Sequence, residues 1–146
     1  MGSIDTIRGI TDNIETVLSR LGVRFARAMR VDPKAVPATL LPSGRVVYAG
    51  ERFETTHGQR PGYVEARFDV TVLIGGGLGR EAADRIRAEQ EWAHYIRSAL
   101  TVSAVNSGAL AESRLVSRVD VSEATIENED EFSTLTSRVT VRYRET

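Results

Sequence analysis

The chain contains no cysteine and only two histidines, His57 and His94. The first absence excludes disulfides, thiol nucleophiles, redox pairs and cysteine-ligated zinc, and it permits a reducing compartment. The second leaves little for metal binding or for acid–base work near neutral pH. Long apolar runs are missing too, since nothing approaches the roughly 20 residues of a transmembrane helix. The N-terminus has no basic segment followed by an apolar stretch, so a soluble, unexported chain is expected. Nor is there an excess of one charge: 19 Lys and Arg stand against 20 Asp and Glu. The chain therefore carries no global attraction for nucleic acid or a membrane surface, and any charge effect is local. The start, "MGSIDT", fits the loose myristoylation pattern through Gly2 and Thr6, but Ser3 capping a helix explains the same residues better.

What is present fits one domain spanning residues 1–146, a length that buries roughly two-thirds of the surface exposed by the unfolded chain. Ile4, Ile7, Ile10, Ile14, Val17, Leu18 and Leu21 recur at helical spacing, predicting an amphipathic helix over 4–21 ended by Gly22. Prolines 33, 37 and 42 forbid a helix in the next stretch, where "AVPATLL" and "RVVYAG" around the turn "PSG" suggest two short strands. "ERFETTHGQRPGY" (51–63) reads as a long loop or an extended hairpin arm. "YVEARFDVTVLI" (63–74) alternates, with Val64, Ala66, Phe68, Val70, Val72 and Ile74 on one face, as in a half-buried antiparallel strand. Ala82, Ala83, Ile86, Trp92, Ala93, Ile96 and Leu100 mark a second amphipathic helix, interrupted by polar Glu89 and Gln90. "RLVSRVDVSEATI" (114–126) and "STLTSRVTVRYR" (133–144) then flank the acidic tip "ENEDEF" as a hairpin. The expected class is α+β: a mostly antiparallel or mixed sheet carrying two helices, in the order α-β-β-β-α-β-β.

The glycine cluster in "TVLIGGGLGREAADRI" (71–86) raises the question of a phosphate cradle, because a strand feeding a helix start through glycines is where nucleotide folds bind phosphate. Three features speak against it. Arg80 stands where G-x-G-x-x-G needs its last glycine, and the P-loop Lys-Ser/Thr is missing. The preceding strand alternates, whereas a parallel strand covered on both faces is apolar throughout. The acidic ribose partner would fall near Ala99, inside the helix. A hinge that lays the helix back on the sheet accounts for these glycines.

Other chemistry is equally thin. No G-x-S-x-G elbow or H-E-x-x-H pair occurs; His57 reads as a surface polar residue and His94, beside Trp92 and Tyr95, as packing. Glu127, Glu129, Asp130 and Glu131 lack the calcium-loop pattern and read as a solvated turn. Arg20, Arg24 and Arg27, with Arg30 and Lys34 behind, would form one basic face if the first helix ran through Gly22. A solvated surface explains them as well. No cofactor or metal is expected, and no enzymatic activity.

The element order, together with "AVPATLL", "YVEARFDVTVLI" and "STLTSRVTVRYR", resembles the tail-terminator (tail-completion) proteins of long-tailed bacteriophages and related tail-like particles, over nearly the whole chain. The resemblance implies a non-enzymatic ring, usually of six copies, that caps the head-proximal end of the tail tube and offers a surface for head attachment. Its partners would be further copies of itself, the tail-tube protein and a head-completion or stopper protein. DNA would pass through without specific binding, no membrane would be involved, and the ring would reside in the virion after assembly in the host cytoplasm. The subunit or partner interface is expected at Glu51, Phe53, Glu54, His57, Arg60 and Tyr63. The acidic tip Glu127, Glu129, Asp130 and Glu131 is expected to face the channel. Two alternatives stand beside this reading: a head–tail connector or stopper, and a small nucleotide-binding domain using the glycine loop at 75–80.

Overall fold

The computed structural model describes residues 3–25, 41–54, 62–75, 82–122, 124–128 and 132–145. The first apolar stripe becomes α1 (Ser3–Arg20), which buries Ile10, Ile14, Val17 and Leu18 and leaves Ile4 exposed at its start. Gly22 ends it with φ of 99°. The Gly22 N–H donates to Ser19 O at 3.0 Å and the Val23 N–H to Leu18 O at 3.1 Å, a Schellman cap that a residue without a Cβ adopts at least cost. That cap rules out the continuous basic face on α1. Arg24 leaves the helix and bridges Ser43 in parallel, while Arg27, Arg30 and Lys34 lie outside the described residues.

The strands are β1 (Ser43–Glu54), β2 (Tyr63–Gly75), β3 (Val116–Val121), β4 (Thr125–Asn128) and β5 (Phe132–Arg144). They form one antiparallel sheet in the order β1-β2-β5-β3, with β4 on the same side of β5 as β3. At the centre, β2 and β5 pair along their whole lengths, from Tyr63 opposite Arg144 to Gly75 opposite Phe132. The predicted alternation holds there as far as Val70, beyond which Thr71 and Leu73 of the opposite face are buried as well. Val64, Ala66, Phe68, Val70, Val72 and Ile74 of β2 and Leu135, Val139, Val141 and Tyr143 of β5 are buried on one face, and that face packs the helices.

The second helix, α2 (Ala82–Ala99), buries Ile96, and Leu100 just beyond it, but not Ile86, which is 53% exposed. Ile86 is thus removed from the expected core. Glu89, read as an interruption of the stripe, is instead buried, where Ser133 Oγ donates to its Oε1 at 2.7 Å. A short helix α3 (Val102–Val105) and a 3-10 turn (Gly108–Leu110) follow. Asn13 on α1 holds this exit in place: its buried Nδ2 donates to Val105 O at 2.7 Å and to Ser107 O at 2.8 Å.

The chain is therefore α+β, as the pattern predicts, with an element order that roughly matches the expected one. The strand expected in "AVPATLL" lies mostly outside the described residues. "RVVYAG" continues as β1 through Glu54, which pairs with Tyr63, so the described ends of 51–63 bear out the hairpin arm rather than the loop, with 55–61 outside the described residues. The 114–126 segment divides into β3 and β4: the Ser122 N–H still donates to Arg138 O at 2.8 Å, but the Arg138 N–H donates to Ser122 Oγ at 3.0 Å in place of a backbone carbonyl, and the ladder breaks there.

Candidate interaction surface

The arm formed by β1 and β2 carries the described members of the expected interface. Glu51, Phe53, Glu54 and Tyr63 lie on it, while His57 and Arg60 lie outside the described residues. The register separates the four. Glu51 opposes Ala66 and Phe53 opposes Val64, both on the face that packs the core. Glu54 opposes Tyr63 on the other, polar face. They do not make one patch, since successive strand residues point to opposite faces.

On the polar face Arg142 organises its neighbours. Its Nη2 donates to Glu54 Oε2 at 3.3 Å, and its guanidinium sits 3.9 Å over the Tyr63 ring centre. Arg52 reaches the same carboxylate at 3.6 Å. Further along, Arg138 pairs with Asp69 at 3.0 Å and Arg118 with Asp120 at 2.7 Å. Asp69, Arg138 and Arg142 are thus engaged within the sheet. Exposed pairs of this kind add little stability.

On the other face of the arm, cover runs out toward the edge. Tyr48 packs its ring 5.9 Å from that of Phe68 and remains 41% exposed. Phe53 is 52% exposed and lies over Gly62, where a Cβ would come within 2.7 Å of its ring. Val47, on the polar face, is 47% exposed. Partial burial, the charge of Glu51 and a hydrogen bond with it raise the Tyr48 phenol above its usual value, against a smaller opposing effect of Arg67. Sequence reasoning did not nominate Val47 or Tyr48. The consecutive apolar residues in "RVVYAG" were the available signal, since they place apolar groups on both faces of one strand.

Beside this edge runs a groove of about 580 Å³ between α1 and β1, lined by Thr11, Asp12 and Glu15 from the helix and Arg45, Val46, Val47 and Tyr48 from the strand. The strand bulges next to it. Ala49 and Gly50 together oppose Arg67, and Gly50 takes φ of 109°, a conformation that glycine enters without strain.

The acidic tip is represented by Glu127, exposed near the end of β4 opposite Thr134; Glu129, Asp130 and Glu131 lie outside the described residues. His94, expected to pack, is exposed on α2 with its ring 6.1 Å from that of Tyr95. Of the glycine loop only Gly75 is described, as the last residue of β2. Among the described residues no cluster of His, Asp and Glu is placed to hold a metal ion, and no helix is long and apolar enough to cross a membrane. No protein-family model matches the chain, and no curated protein matches it.

Proposed function

We propose that the chain is a structural assembly subunit of the tail-terminator kind: a ring-forming protein that caps the head-proximal end of a tail tube and presents a surface for head joining. The observation that carries this reading is the β1–β2 arm, an edge strand that leaves Val47, Tyr48 and Phe53 open to solvent. Exposed aromatic and aliphatic side chains gathered on one edge mark a surface that another protein covers. A closed ring needs heterologous contacts, with one patch meeting a different patch on the neighbour, and the arm is the patch this reading assigns. Its partners are further copies, the tail-tube protein and a stopper protein. DNA passes without being bound, and the assembled location is the virion.

Negative-stain microscopy of the purified protein mixed with tail tubes tests it. Rings seated on one end of each tube are the expected result. Particles that bind portal assemblies and ignore tubes would move the chain to the connector class, and stabilisation by a nucleotide in a thermal shift would move it to the nucleotide-binding alternative. A saturating ligand at a hundredfold its Kd adds about 2.7 kcal/mol.

A further inference from the structure

The two edges of the sheet are treated differently. At the β3 edge, Asn106 occupies the backbone of Val116 as a strand would, its Nδ2 donating to Val116 O at 2.8 Å and its Oδ1 accepting from the Val116 N–H at 3.1 Å. The register then slips between Val116 and Arg118, and the edge breaks before β4. Caps, bulges and interruptions of this kind block edge pairing.

Among the described residues the β1 edge is blocked only at its start. There Arg24 already adds a rung, its N–H donating to Pro42 O at 2.9 Å and its O accepting from the Gly44 N–H at 2.8 Å. Because the Gly44 N–H points outward, strand alternation turns the backbone groups of Val46 and Tyr48 outward as well. Past the bulge, Glu51 and Phe53 take that orientation. Among the described residues, no backbone hydrogen bond from Arg45–Glu54 goes anywhere but into the β1–β2 ladder.

We infer that β1 pairs antiparallel with β1 of a second copy about a two-fold axis between Ala49 and Gly50, seating Phe53 of each chain beside Val46 of the other. Several registers keep outward-facing groups opposite one another. Centring on Val46, Val47 or Tyr48 leaves Phe53 and Glu54 without open partners, centring on Glu51 or Arg52 sets two like charges face to face, which is unfavourable, and centring on Phe53 leaves Val46 and Tyr48 uncovered. The register centred on the bulge aligns the two bulges and pairs Arg45 with Glu54, Val46 with Phe53, Val47 with the aliphatic stem of Arg52, and Tyr48 with Glu51. It also delivers each Phe53 to the mouth of the groove lined by Val46 and Tyr48. Charge, apolar cover and the groove thus select the same register. An isologous pair closes on itself, so it is a state of the free subunit that a ring must open.

The absence of cysteine makes the test clean. Within one strand, positions 47 and 52 lie about 13 Å apart, beyond the reach of a disulfide. The double variant Val47→Cys with Arg52→Cys is expected to oxidise to a covalent dimer, while each single variant stays unlinked. Linkage of Val47→Cys alone, of Arg52→Cys alone, or of neither the singles nor the double overturns the register. By light scattering the wild type should approach the mass of two chains at high concentration, and Val46→Pro, which removes an outward N–H that an edge strand can spare, should have the mass of one. A wild type with the mass of one chain at every concentration overturns the pairing, as does a six-chain mass without the 47–52 disulfide, and the latter would leave the ring reading standing.

Discussion

Asn13 and Val105 stand 92 positions apart in sequence, yet the buried Asn13 Nδ2 donates to the Val105 carbonyl at 2.7 Å and to Ser107 O close by. One side chain thereby satisfies two carbonyls at the exit of α3 and ties the N-terminal helix to the chain that enters β3. Replacing Asn13 by Ala takes the donor from the Val105 carbonyl and leaves Ser107 O with the Leu110 N–H alone, at 3.0 Å. A loss of about 1–3 kcal/mol is expected, read from urea unfolding, and Asn13→Leu should not recover it because shape alone supplies no donor.

The core assignment separates Phe68 from Ile86. Phe68 is fully buried under the helices, whereas Ile86 is mostly exposed. Phe68→Ala should cost about 3–5 kcal/mol, and Ile86→Ala should stay within about 0.5 kcal/mol. Equal losses at the two positions in thermal or chemical denaturation would refute this packing.

Tyr48 ties stability to alkaline pH. Its folded-state pKa is raised above the ordinary 10.0, by partial burial first and by Glu51 second. An acid with a raised pKa binds its proton more tightly when folded, so its contribution is complete below the ordinary value and is lost as pH rises through the folded one. Wild type should therefore lose stability above pH 10 relative to Tyr48→Phe, and the two should run parallel below it. Melts across that range, with phenolate absorbance as the titration monitor, check the sign.

In the proposed ring the acidic tip would repel passing DNA. Converting Glu127, Glu129 and Glu131 to Gln and Asp130 to Asn should change stability by no more than about 0.5 kcal/mol, because a solvated like-charge cluster stabilises little. DNA retention by an assembled ring should rise at low salt and return to the wild-type level at high salt, where exposed charges are screened. Unchanged retention at every ionic strength would leave the tip an ordinary turn.

The legible parts of the fold were those where one physical demand dominates. β2 alternates from Tyr63 to Val70 because one face there is buried and the other more open to solvent, and the α1 stripe and its Gly22 stop follow from helical geometry alone. Beyond Gly50 the sequence left β1 open between a loop and a hairpin arm. An edge strand with one flank in water tolerates Glu51, Arg52 and Glu54, and such a run has the composition of a loop. Glu89 looked like a break in a helix because its partner Ser133 comes 44 positions later. Ile86 keeps the right spacing, but nothing in the sequence says how far the sheet extends beneath α2. On the proposed assembly surface, Phe53 stood out as an aromatic among polar residues, whereas Tyr48 depended on knowing that β1 is an edge.

The most direct measurement of the central claim, that the β1–β2 arm is an assembly surface, is native mass over a concentration series for the wild type, Phe53→Asp and Ile86→Asp. Phe53 and Ile86 are almost equally exposed, but only Phe53 lies on the arm. The account predicts that wild type and Ile86→Asp associate beyond a single chain and that Phe53→Asp does not. A wild type that remains one chain throughout, or association lost equally in both variants, would contradict it.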